Sequence, residues 1–160
     1  MAGRPFRSST RKPGPESPPA SAYDRALALL ARREHSRREL EQKLAEKGYG
    51  GEESRPALDS LAERREQSDA RYAEVLIRRR AGAGYGPRYI EAELVSHGIA
   101  PSAVRETLAS VDWLAVAQAA VRKRRGTAGD RATRERAAQY LARRGFPSDV
   151  VARAVGRSRD

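Results

Sequence analysis

The 160-residue sequence has no cysteine, which excludes disulfides, a thiolate nucleophile and sulfur-rich metal sites. Histidine is nearly absent, with only His35 and His97, and aromatic residues make up 6% of the chain. Long apolar runs are missing too. Met1 to Ala20 carries Arg4, Arg7, Arg11 and Lys12 but no stretch able to form a signal-peptide core or a membrane span, so a cytoplasmic protein is expected. Also missing from Ser21 onward is the sustained period-two alternation of a half-buried strand. Apolar residues fall instead at intervals of three and four, the signature of an all-α body.

Charge is plentiful and uneven. The net charge is +11, and the segments 1–20, 21–68, 69–111 and 112–160 carry +3, 0, +1 and +7. A basic surface of this kind points to nucleic acid, an acidic protein face or an anionic membrane. Residues 1–20 hold five of the nine prolines and are expected to form a disordered basic tail, because they cannot bury enough apolar surface to offset ordering.

The remainder is organised by an internal repeat. Leu44 to Tyr49, Leu94 to Ile99 and Leu141 to Phe146 share a leucine, then glycine four residues on, then a large apolar residue, with the glycines 50 and 47 residues apart. One turn before each leucine stands Leu40, Ile90 or the smaller Ala137. Twelve residues before each glycine stands Ser36, Gly86 or Thr133, each an acceptable N-cap, and Ser36 with Glu39 has the pattern of a capping box. Each glycine suits the left-handed residue that ends a helix, with Tyr49, Ile99 or Phe146 folding back.

An amphipathic segment precedes each middle helix, marked by Ala26, Leu27 and Leu30, by Tyr72, Ala73 and Leu76, and by Leu114, Ala117 and Val121. Another follows, marked by Leu58 and Leu61, by Val104 and Leu108, and by Val150, Val151 and Val155. The expectation is three tandem three-helix repeats, at 21–68, 69–111 and 112–160. Units this small gain by packing end to end, in an elongated, curved array.

Several candidate sites have simpler readings. Gly82-Ala83-Gly84-Tyr85-Gly86 follows a helix and lacks the Gly-Lys-Ser/Thr of a phosphate loop, so it reads as a flexible connection ending in an N-cap. His97 aligns with Lys47 and Arg144 in the last turn before the glycine, where the helix dipole favours a cation; His35 is expected at the surface. Glu39, Glu41, Glu46, Glu91 and Glu93 sit among arginines and predict solvated ion pairs rather than acid–base or metal chemistry. No catalytic residue, metal ligand or cofactor site is singled out, and an enzyme is not expected.

Two basic clusters stand apart. Arg78, Arg79, Arg80 and Arg88 lie in a stretch without an acid, as do Arg122, Lys123, Arg124 and Arg125. Each closes the first helix of its repeat, so the clusters are expected at equivalent places, on one side of the array. Arg143 and Arg144, just before the third glycine, extend the set. Such groups would neutralise phosphates without reading bases, giving salt-sensitive binding. Tyr72, Tyr89, Trp113 and Tyr140 read as core residues, and Tyr85 as the more exposed ring.

These residues resemble a known family. The run Arg33-Glu34-His35-Ser36-Arg37-Arg38-Glu39-Leu40 with Lys43-Leu44 is similar to the first repeat of the RecX family of bacterial RecA regulators. Gly86-Pro87-Arg88-Tyr89-Ile90 with Leu94 and Gly98 is similar to the second, and Tyr140 through Val151 to the third. The resemblance covers about Tyr23 to Val155; the Pro-rich tail and Ala137 depart from the family pattern. It implies a monomeric, non-enzymatic, cofactor-free protein. Such a protein lodges in the groove of a RecA filament on single-stranded DNA and restrains recombinase and ATPase activity, and with them the SOS response. The residues alone also permit a general DNA- or RNA-binding helical protein, or a protein adaptor.

Overall fold

The computed structural model describes residues 20–124 and 130–156. The proline-rich segment and Arg125 therefore lie outside the described residues. Among the described residues there are nine helices and no strand. Repeat 1 comprises α1 (Ala22–Leu30), α2 (Arg37–Glu46) and α3 (Gly51–Glu63). Repeat 2 comprises α4 (Asp69–Gly82), α5 (Pro87–Ser96) and α6 (Pro101–Ala109), and repeat 3 comprises α7 (Trp113–Lys123), α8 (Arg131–Arg143) and α9 (Ser148–Ala154). The principal helix–helix packings fall within these triplets.

Each repeat closes on its own apolar cluster. Leu40, Leu44, Leu58 and Leu61 are completely buried in the first, with Ala22 and Ala26 beneath them. Ile90 and Leu94 hold the same places in the second, against Tyr72, Leu76, Val104 and Leu108. The third core is thinner: it rests on Leu141, Phe146, Val150 and Val151 against Ala117 and Ala120, and Ala137 is only half-buried at its edge. Leu27 departs from its expected inward role and is exposed; Leu30 packs inward as expected, and Leu29 takes the place of Leu27.

The repeated glycines do what their alignment predicts. Gly48, Gly98 and Gly145 have φ of 88°, 81° and 86°. The following residue donates its N–H back to the leucine carbonyl, Tyr49 to Leu44 at 3.1 Å, Ile99 to Leu94 at 3.0 Å and Phe146 to Leu141 at 3.2 Å. This satisfies carbonyls that a helix end would otherwise leave bare. Gly84 ends α4 the same way, with φ of 82° and Tyr85 N–H donating to the Arg80 carbonyl at 3.0 Å. The glycine-rich stretch is thus a built helix stop rather than a flexible link.

Two N-caps need correction. Helix α8 starts earlier than expected, because the Asp130 carboxylate accepts from Thr133 N–H at 2.9 Å and so takes the cap position assigned to Thr133. Ser36 does cap α2, accepting from Glu39 N–H at 3.1 Å, but the Glu39 side chain is drawn to Arg33 instead of returning to the cap backbone. The complete capping box lies at Ser21 and Asp24, at the start of α1.

Candidate nucleic-acid interface

The repeats meet through one recurring surface, the first turn of a middle helix against the glycine turn ending the next middle helix. At the first junction the Asp69 carboxylate accepts from Arg37 N–H, the opening N–H of α2, at 2.8 Å, and Gln67 Nε2 donates to Asp69 at 2.8 Å. Gly98 faces Arg38, whose side-chain atoms would lie 3.2 Å from a Cβ on that glycine. At the second junction backbone replaces side chain. Gly86 N–H donates to the Arg144 carbonyl at 2.7 Å, and Arg88 N–H to the Gly145 carbonyl at 3.1 Å. The carbonyl end of α8 caps the N–H end of α5, and their dipoles join head to tail. Gly86 therefore needs no capping side chain. A Cβ on Gly86 would sit 2.5 Å from Gly145 C, and one on Gly145 would sit 2.5 Å from Tyr89 N.

The closeness of the second junction brings the two basic clusters together. Helices α4, α7 and α8 bring their carbonyl ends to it. Lys123 Nζ donates to the Gly82 carbonyl at 3.3 Å, and Arg144 Nη1 to the Ala83 carbonyl at 3.2 Å, so cations of repeat 3 cap the negative end of α4. The guanidiniums stack with tyrosines in alternation. Arg80 lies 5.5 Å from the Tyr85 ring, Arg144 lies 4.3 Å from Tyr85 and 5.0 Å from Tyr140, and Arg124 lies 4.7 Å from Tyr140. Tyr89 stacks on Tyr85 at 4.3 Å. Each ring face offers negative potential to the cations beside it, which offsets their mutual repulsion.

The candidate residues fall into two groups. Arg78, Arg79, Arg88, Arg122, Lys123, Arg124 and Arg143 are exposed and make no ion pair among the described residues. Arg80 and Arg144 are half-buried and already engaged. Arg80 grips Glu93 with two hydrogen bonds, at 2.7 and 2.6 Å, and the Glu93 carboxylate holds its pKa above the ordinary arginine value. That acid lies beyond the acid-free stretch in sequence but one helix away in space. Arg144 is fixed between two rings.

Tyr85 is corrected from an exposed ring to a half-buried one packed against the repeat 2 core, and Tyr89 from a core residue to an exposed one. Gly84-Tyr85 repeats the pattern of Gly48-Tyr49, which is the signal that could have placed it. Trp113 and Tyr140 are half-buried, with Trp113 Nε1 donating to the Leu108 carbonyl at 2.9 Å across the repeat boundary.

The first junction is a closed polar network. Arg33 pairs with Glu39, Arg71 pairs with Glu34 at 2.9 Å, and Arg37 pairs with Asp59 at 2.7 Å and Glu41 at 3.2 Å. His35 is buried here, 3% exposed, not at the surface. Its Nδ1 lies 3.0 Å from Glu39 Oε2. Burial lowers the imidazole pKa below its ordinary value, and the nearby Glu39 charge does not reverse this. Burial likewise works to raise the Glu39 pKa and is outweighed by its bonds to Arg33, so that carboxyl titrates below its usual range. His97 ends α5, its ring 5.5 Å from Tyr72. Among the described residues no group of three or more His, Asp or Glu side chains is placed to hold a metal, and no helix is long and apolar enough to cross a membrane.

Comparison with known proteins matches each repeat separately. The family models for the first, second and third three-helix domains of RecX match residues 22–61, 68–108 and 111–155. The chain is 45% identical over 149 residues to the regulatory protein RecX of Stenotrophomonas maltophilia (strain R551-3), covering 91% of this chain and 89% of the relative. It is 49% identical over 137 residues to that of Halorhodospira halophila, covering 82% and 84%. Its fold matches the crystal structure of RecX from Lactobacillus salivarius with a TM-score of 0.72 at 22% identity, over 84% of this chain and 92% of the other. With three consecutive domain matches spanning nearly all the described residues, the chain belongs to the RecX family.

Proposed function

We propose that this protein regulates the RecA recombinase by binding its filament on single-stranded DNA and slowing its ATPase and recombination cycle, as a monomer, in the cytoplasm and without catalysis of its own. The family supplies the regulatory role. The observation that carries the binding mode is the meeting of two cationic helix ends at the second junction, where Arg78, Arg79, Arg122 and Lys123 are exposed and free of carboxylates. Cations spread over these helices can follow a phosphate backbone without reading its bases. Repeat 1, whose formal charge is zero over residues 21–68, makes the protein contacts. Binding one filament state better than the others is sufficient for inhibition.

The test is RecA ATPase on single-stranded DNA with this protein added, repeated for a variant with Arg78, Arg79 and Arg122 changed to alanine. The parent inhibits. The variant inhibits less, and its log–log salt dependence is shallower by about 2, at roughly 0.7 for each phosphate that is no longer neutralised. Absence of inhibition by the parent defeats the regulatory reading. Equal inhibition by both, with equal salt dependence, defeats the electrostatic one. Binding to bare duplex as tight as to the filament favours a general DNA-binding protein.

A further inference from the structure

Repeat 1 carries a second, separate cationic feature. Helices α1 and α2 enclose an open cleft of about 250 Å³. Arg25 and Arg32 stand along one wall, Lys43 and Lys47 along the other. Arg25 lies in α1 and Arg32 in the turn just after it, while Lys43 and Lys47 are four residues apart, one turn, at the end of α2. None of the four makes an ion pair among the described residues, whereas Arg33 and Arg37 of the same repeat do. Ala28 and Leu29 of α1 also line the cleft, and Glu46 is the only acid among its lining residues.

We propose that this cleft is a docking site for an acidic peptide segment of a partner protein, one that carries an aliphatic side chain between its carboxylates. The two rows of cations match carboxylates on both sides of such a segment. The apolar lining of Ala28 and Leu29 matches the side chain between them. The cleft is below the roughly 300–1,000 Å³ usual for a small-molecule pocket, which suits one or two side chains of a peptide rather than a whole cofactor.

Single-stranded nucleic acid fits less well, because its binding grooves offer aromatic platforms for the bases and this cleft has none. The chain's own first 20 residues carry four basic side chains and one acidic, the wrong sign for this site. The cleft shares no residue with the second-junction cations, and the proposal does not depend on the regulatory reading above.

Fluorescence anisotropy of the full chain tests it with three labelled probes: a peptide in which leucine follows every second glutamate, the same peptide with alanine for leucine, and an oligothymidylate of equal length. The leucine peptide binds more tightly than the alanine peptide. Arg32→Glu combined with Lys43→Glu weakens it about tenfold, through the reversal of one exposed and one half-buried charge. The same change leaves oligothymidylate binding as it was, while Arg122→Ala with Lys123→Ala does the opposite. If the double reversal unfolds the repeat, Arg25→Glu replaces it, since an acid in the first half of α1 agrees with the helix dipole. No binding of the leucine peptide, equal affinity for the alanine peptide, or parallel loss of peptide and oligothymidylate would each overturn the proposal.

Discussion

The first and second junctions bring together equivalent surfaces and hold them by different physics. In both, the opening turn of a middle helix meets the glycine turn that closes the next. At the first junction the acceptor for the bare helix N–H is a side chain, Asp69, set among Gln67, Glu34, Arg71, Arg33 and Glu39. At the second it is the backbone of residues 144 and 145, which requires two glycines to approach without Cβ atoms. Polar side chains at the first junction neutralise one another. Backbone capping at the second leaves nearby cations to stack on tyrosines, with their outward neighbours unpaired. One repeat thus yields a neutral joint and a positively charged one.

Glycine substitutions break the comparison most sharply. Gly145→Ala imposes both a left-handed backbone and a collision with Tyr89 N. Gly48 has nearly the same φ, 88°, and nothing within 4 Å of its Cβ position. Gly48→Ala should therefore cost about 1–2 kcal/mol for the backbone alone, and Gly145→Ala about 1–3 kcal/mol beyond that for the clash. Gly86→Ala, with no φ penalty, should show the clash alone. Urea unfolding of the three variants measures the differences; equal losses for Gly48 and Gly145 would mean that the second junction opens freely.

Arg144 comes next. Alanine there removes a cation held between two rings and the donor to the Ala83 carbonyl, with an expected loss of about 1–2 kcal/mol. Lysine should restore little of it, since an ammonium cannot lie flat against a ring as a guanidinium does. Full rescue by Arg144→Lys in thermal unfolding would reduce the stack to a point charge near a helix end.

Much of the fold is legible in the sequence. Repeating leucine, glycine and aromatic positions predict the middle helices and their stops, because those signals are local and each has a stereochemical cause. Pairings between repeats are not legible. Glu93 lies outside the acid-free window around Arg80, yet it meets Arg80 across α4 and α5. His35 looks like a surface residue beside an N-cap because its burial depends on residues more than thirty positions away, among them Gln67, whose amide donates to the His35 carbonyl at 3.4 Å. The use of Gly86 as an N-cap without a side chain makes sense only once the carbonyls of repeat 3 are seen against it.

The first junction should yield to acid more readily than the second. The unfolded chain protonates His35 near pH 6.5, while the folded chain resists it, because burial depresses that pKa and Arg33 and Lys43 push in the same direction. Stability is then complete above about pH 6.5 and declines as pH falls toward the lower folded value. Glu39 adds a separate loss at lower pH, as pH falls from the ordinary carboxylate value toward its lower folded one. Melting temperatures across pH 7.5 to 5.0 test this: His35→Gln should flatten the upper part of the decline, and an unchanged profile would place its origin elsewhere.

The smallest effect addresses the one ion pair that either basic cluster makes among the described residues. Glu93→Gln removes a partly buried charge and should change stability by under about 1 kcal/mol, because the amide keeps one hydrogen bond to Arg80. Its effect on binding should be distinct. With its carboxylate gone, Arg80 joins Arg78 and Arg79 as an available cation, and the log–log salt slope for single-stranded DNA should steepen by about 0.7, the value of one more phosphate neutralised. An unchanged slope would mean that Tyr85 alone retains Arg80 within the joint, making its stacking, rather than its salt bridge, what withholds this side chain from the surface.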